Sequence, residues 1–193
     1  MKRICVNCGS SPGFDPSYME MAHRLGQALL DRNLELVYGG ADVGLMGEVA
    51  DTVLKAGGSA IGVIPKSFAQ KVSHDGLTEL HVVESMHERK GMMFDLSDGF
   101  IALPGGFGTL EEVLELLTWA QLGLNMKPCG LLNAKEYFNG LLSFLDHSMA
   151  EGFIRQEHRD MLLVTATPED MLDRFESYRA PDVEKWVAVK TMT

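Results

Sequence analysis

The fold class this sequence predicts is α/β, a layered sandwich around a mostly parallel sheet, and three observations carry it. Short apolar runs alternate with helical stretches along the whole chain. The runs show little polar alternation, as in strands buried on both faces. Glycine-bearing turns follow three of them, "CGSSPG", "YGGADVGLMG" and "PGGFGT".

"RICVNCG" reads as the first strand. After the turn-rich "SSPGF", Asp15 and Pro16 form an N-cap and first-turn proline pair that opens a helix. Its apolar face is Tyr18, Met21, Ala22, Leu25, Ala28 and Leu29, before "DRN" breaks the pattern. "LELVYGG" is the second strand. The next helix places Leu45, Met46, Val49 and Val53 at helical spacing and ends at Gly57 and Gly58, a C-cap. "SAIGVIP" is the third strand, stopped by Pro65.

Residues 66 to 78 are polar and irregular and read as a loop or flap over a site; "ELHVVE" then forms a strand. A helix from Ser85 to Leu96 leads into "GFIALP", the fifth strand, and its glycine turn. Leu110, Val113, Leu114, Leu117 and Gln121 mark the following helix, "PCGLLN" a strand, "EYFNGLLSFLDHSMAEG" a helix, and Pro168 to Tyr178 a last helix. With 193 residues, no repeat and no linker, the expectation is one Rossmann-like, three-layer domain. In such sheets ligands gather at the carboxyl ends of strands, where the three glycine turns fall.

Composition excludes several classes. The net charge of −10 comes without a Lys/Arg block to track a phosphate backbone, which argues against nucleic acid. No leader and no apolar run near the ~20 residues of a bilayer span are visible, so a soluble, cytoplasmic protein is expected. Cys5, Cys8 and Cys129 are an odd count, against a disulfide framework. Cys5 and Cys8 sit three apart on a strand and point to opposite faces, so they neither bridge nor share a metal. The six histidines lack metal-ligand spacing, and no metal is expected.

The glycine turn "LPGGFGTLEE" holds the most chemistry. Gly105, Gly106 and Gly108 let amides turn inward, and Thr109 opens a helix whose free N–H groups attract an anion, most simply phosphate. The turn matches neither the Walker pattern nor the full GxGxxG, which suggests a mononucleotide or sugar phosphate. Glu112 lies three residues beyond Thr109, so it reads either as the glutamate of a capping box or as a working carboxylate.

Beside a phosphate such a carboxylate needs nearby cations, and "SMHERK" supplies them. Arg89 interrupts the stripe Met86, Met93, Leu96; it either snorkels or meets a planar oxyanion. Lys90 is a second cation or a solvated lysine. His87 and Glu88 read as surface residues. Tyr38 and Trp119 read as core or as base-stacking rings, and Met46 stands beside a glycine loop.

The motifs PGGxGTxxE, Pro104 to Glu112, and MHxRK, Met86 to Lys90, closely resemble the Lonely Guy family, and "GSSPG", "YGGADVGLMG", "GVIPK", "TWAQLG" and "KPCGLLN" extend the likeness along nearly the whole chain. That family comprises cytokinin riboside 5'-monophosphate phosphoribohydrolases, often mislabelled as lysine decarboxylases. The resemblance implies a homodimer with sites near the subunit interface. It also implies cleavage of the N-glycosidic bond of a nucleoside 5'-monophosphate, with AMP or an N6-prenylated analogue as substrate and no cofactor.

Arg89 and Glu112 would be the catalytic pair, with Lys90 assisting. Gly105, Gly106, Gly108 and Thr109 would hold the phosphate, Thr118 would touch the nucleotide, and Gly9, Ser10, Gly40 and Met46 would line the site. Ala41 departs from the family pattern, where a third glycine is common, and its methyl group is expected to narrow the pocket. Readings from other classes are a non-catalytic nucleotide or molybdenum-cofactor carrier, and a sugar-phosphate isomerase, which lacks an obvious proton-transfer pair.

Overall fold

The computed structural model describes residues 1–181. Seven parallel strands form one sheet in the order β4-β3-β2-β1-β5-β6-β7. They are β1 (Arg3–Asn7), β2 (Glu35–Tyr38), β3 (Ala60–Pro65), β4 (Glu79–Val83), β5 (Gly99–Ala102), β6 (Cys129–Leu132) and β7 (Leu162–Thr165). The helices between them are α1 (Ser17–Asp31), α2 (Gly44–Lys55), α3 (Lys66–Val72), α4 (Met86–Leu96), α5 (Phe107–Gln121), α6 (Asn139–Ala150), α7 (Gln156–Arg159) and α8 (Pro168–Ser177).

Period-two side chains divide the core between the two faces of the sheet. Ile4, Val6, Leu36 and Ile101 pack with Leu25 and Leu29 of α1, Val49 and Val53 of α2, and Leu172 and Phe175 of α8. Cys5, Val37, Ile61 and Phe100 pack with Met93 of α4, Val113 and Leu116 of α5, and Leu145 of α6. Cys5 and Cys8 fall in these opposite clusters, as strand geometry requires, and all three cysteines are free. Among the described residues no helix is long and apolar enough to cross a membrane.

Three local expectations need correction. Residues 66 to 72 are helix α3, not loop; none of its side chains is buried, so no apolar stripe marked it. Strand β7 was not anticipated, because three apolar residues and a threonine beside a helix fit either period. At α5 the N-cap is Gly106 and the helix begins at Phe107, two residues before the expected opening at Thr109.

The sheet reverses its winding direction at β1, since β2 lies on one side and β5 on the other. The crevice at such a switch point is where open α/β sheets take ligands. Here the loops that bound it are tied together. Gly9 N donates to Pro104 O at 3.0 Å, Leu45 N to Gly9 O at 3.1 Å and Leu103 N to Asn7 O at 3.0 Å. The turns after β1 and β5 and the start of α2 are therefore one hydrogen-bonded unit.

Candidate active site

The crevice has a volume of about 310 Å³, at the lower end of the range that admits a small organic ligand. Asn7, Cys8, Gly9 and Ser10 come from the end of β1, Gly39 and Met46 from the β2–α2 side, Met86 and Arg89 from α4, and Gly106, Phe107, Gly108, Thr109 and Glu112 from the start of α5. All three glycine turns thus converge on one site. The amides of Gly106, Phe107, Gly108 and Thr109 have no protein partner among the described residues, and with the dipole of the 15-residue α5 they make an anion cradle.

Arg89 and Glu112 meet at the crevice floor. Nη1 of Arg89 donates to Oε1 of Glu112 at 2.6 Å, and the two side chains are only 11% and 14% exposed. Nε of Arg89 donates to Val63 O at 3.0 Å, which fixes the plane of the guanidinium. Gly39 is the space into which that guanidinium fits, since a Cβ there would collide with Nη2 of Arg89. Both alternatives for Arg89 are thereby resolved: it does not snorkel to solvent, and it holds a carboxylate.

Glu112 makes no cap, because Thr109 is the third residue of α5 and no side chain caps this helix. Burial pushes the Glu112 carboxyl above its ordinary value, and the adjacent Arg89 offsets only part of that rise. A Ser-x-x-Glu cap lies instead at "SMHE", with its glutamate reaching one residue beyond the usual partner of a capping box. Glu88 N donates to Oγ of Ser85 at 3.1 Å and Glu84 N to Oε2 of Glu88 at 2.9 Å. That cap starts α4 in the register that delivers Arg89.

Several expected site residues stand elsewhere. Lys90 does not line the main crevice; its ammonium contacts Glu111, which does, and, at 3.0 Å, Glu115, and it borders a small adjoining cavity with Asn7 and Glu112. Burial lowers its pKa but these two carboxylates outweigh that effect and raise it, so it remains charged and clamps α4 to α5. Gly40 sits behind Gly39 at φ +76°, against Val63 and Ile64. Thr118 lines a separate groove with Leu114, Leu117, Phe153 and Ile154, and its hydroxyl donates to Leu114 O at 2.7 Å. Six residues beyond Glu112, it is turned about 240° around the helix.

The methyl of Ala41 does not narrow the crevice. Ala41 is buried and bridges Ser73, while Asp42 N donates to Val72 O and His74 N to Gly40 O, so the segment expected as a flap is tied to the β2 turn. Tyr38 is buried, and Trp119 packs edge-on to Phe94 at 5.1 Å and does not line the crevice.

Sequence reasoning missed Asn7, Cys8, Gly39, Met86 and Phe107. Asn7 alone carried a signal, a polar side chain inside an apolar strand. It is buried, with Oδ1 accepting from Sγ of Cys5 at 3.4 Å.

The model of a family described as "possible lysine decarboxylase" matches residues 46–175. The cytokinin riboside 5'-monophosphate phosphoribohydrolase of Rhodococcoides fascians is 51% identical over 165 residues, 84% of this chain and 83% of that protein. The Arabidopsis thaliana phosphoribohydrolase LOG1 is 46% identical over 191 residues, 98% of this chain and 89% of that one. The chain belongs to the Lonely Guy family.

Lonely Guy membership also sets the fold among known structures. The molybdenum cofactor binding protein of Rippkaea orientalis superposes with a TM-score of 0.70 at 25% identity, covering 92% of this chain and 97% of that one. The molybdenum cofactor carrier protein of Chlamydomonas reinhardtii, at 21% identity and a TM-score of 0.69 over 91% of this chain and 96% of that one, shares the fold. The decarboxylase description fits these residues poorly, since among the described residues no lysine lines the crevice to carry a Schiff-base cofactor.

Proposed function

We propose that this protein hydrolyses the N-glycosidic bond of nucleoside 5'-monophosphates, releasing free base and ribose 5-phosphate. The observation that carries the reading is the ion pair of Arg89 and Glu112 on the floor of a crevice whose wall is the amide cradle of α5. The cradle takes the 5'-phosphate, which brings the ribose over Glu112. As the base leaves, positive charge develops on the sugar, and the Glu112 carboxylate stabilises it or orients the attacking water. Arg89 keeps Glu112 ionised and in place.

Relatives named as cytokinin riboside 5'-monophosphate phosphoribohydrolases support N6-prenylated adenosine monophosphate as a substrate, with AMP as its unmodified counterpart. Incubation with AMP and with isopentenyladenosine monophosphate, following free base, tests the reading. Base release from at least one is expected, and no release from either overturns it. Glu112→Gln is expected to lower turnover at least 100-fold, on the order of the loss of one charge-stabilising group, with nucleotide affinity largely kept. Normal turnover in that variant assigns Glu112 a structural role.

The carrier reading rests on the fold shared with the molybdenum-cofactor proteins. A pterin that co-purifies and binds saturably without turnover would favour it. The buried Arg89–Glu112 pair favours the enzyme, because a carrier has no need of a carboxylate beside its anion site.

A homodimer in the cytoplasm completes the proposal. Thr118 lies outside its own chain's crevice, so it contacts nucleotide only if the groove of one subunit faces the crevice of the other. The exposed Phe144, Phe153 and Leu124 support a covered surface in this part of the molecule.

A further inference from the structure

The turn that forms the cradle is held from behind. The hydroxyl of Tyr137 donates to Gly105 O at 2.7 Å, from a cleft that Tyr137 shares with Gly105, Gly106, Gly9 and Tyr18. In a planar trans peptide the C=O of one residue and the N–H of the next point in opposite directions. A Gly105 carbonyl turned outward to Tyr137 therefore turns the Gly106 N–H the other way. Gly106 is the N-cap of α5 and lines the crevice, so its amide joins those of Phe107, Gly108 and Thr109.

We propose that Tyr137 is a positioning residue for the phosphate, setting the Gly105–Gly106 peptide so that one more amide faces the anion. The inference rests on the cradle's assignment as the phosphate site. Two features of the corner between β6 and α6 point the same way. Lys135 and Glu136 adopt left-handed backbone, with φ of 49° and 60°, a conformation that costs non-glycine residues energy and persists where the surroundings impose it. Nζ of Lys135 is 2.6 Å from Oδ2 of Asp15, which anchors the corner at the start of α1.

The ring of Tyr137 is set by edge contacts, with Tyr18 at 5.8 Å and Phe138 at 5.0 Å. Removal of the hydroxyl alone leaves these contacts in place. The turn is also restrained by the bond of Gly9 N to Pro104 O, which holds the preceding peptide, and by the packing of Thr109 against Gly105, where a Cβ would collide with the threonine Oγ1. The first acts on the Pro104 carbonyl and the second limits bulk, so neither bonds the Gly105–Gly106 peptide itself. The hydrogen bond from Tyr137 does.

The test compares wild type with Tyr137→Phe by calorimetric titration of ribose 5-phosphate. The variant is expected to bind about 3- to 10-fold more weakly, the effect of one hydrogen bond. Its unfolding midpoint and its affinity for free adenine, which has no phosphate, should match wild type. In turnover assays the loss should appear chiefly in KM for the nucleoside monophosphate. Equal ribose 5-phosphate affinity in the two proteins overturns the inference and leaves the cradle standing. Equal weakening toward adenine also overturns it, because that reports general loosening. Failure of the wild type itself to bind ribose 5-phosphate overturns both the inference and the phosphate assignment.

Discussion

Glu112 shows how one side chain can satisfy two patterns and belong to one. Its spacing from Thr109 fits a cap, yet the residue is buried against Arg89, with a pKa raised by burial and only partly restored by the guanidinium. In the proposed mechanism the ionised form is the working one, so activity should fall as pH drops through this raised pKa, and the acid limb of the pH–rate profile should lie above the ordinary glutamate value of 4.5. Arg89→Met removes a pKa-lowering partner and should move the Glu112 pKa still higher. A ¹³C-carboxyl NMR titration of the two proteins measures this, and a downward move would contradict the assignment. Glu112 and Arg89 were legible as motif members. Gly39 was not, because nothing in "YGG" says which glycine lies against a side chain 50 positions along the chain.

At the scale of elements, α4 exists in its register because of its cap. Its exposed face is charged and its buried face contributes only Met93 to the fully buried core, so packing alone specifies it weakly. The Ser85 hydroxyl accepts from Glu88 N in the first turn, and the Glu88 carboxylate reaches back to Glu84 N, ahead of the N-cap. Ser85→Ala should therefore cost about 1 kcal/mol in unfolding free energy. Denaturant unfolding measures this, and an unchanged midpoint and slope would show that the contacts of Arg89 and Lys90 set the register instead. The strands and the long helices were legible because each has one apolar pattern and clear punctuation. Helix α3 escaped because it buries no side chain, and β7 because its four residues carry no period.

For the whole molecule, the parallel sheet with its reversal at β1 turns three glycine-rich turns, distant in sequence, into one crevice. The separate groove that holds Thr118 is the basis for expecting a dimer. Sedimentation equilibrium should give twice the chain mass at micromolar concentration, and a monomer would remove Thr118 from the nucleotide site. The sequence by itself determined the α/β class, most of the elements and the motif residues Arg89, Glu112 and Gly105 to Thr109, because these depend on local periodicity, backbone freedom and spacing. Only the tertiary structure decided that Arg89 grips Glu112, that Lys90 ties α4 to α5 through Glu111 and Glu115, that Asn7 and Gly39 line the crevice, and that Tyr137 bonds the glycine turn. Those facts depend on which way a side chain or carbonyl points once strands far apart in the chain lie side by side, and no local pattern encodes that direction.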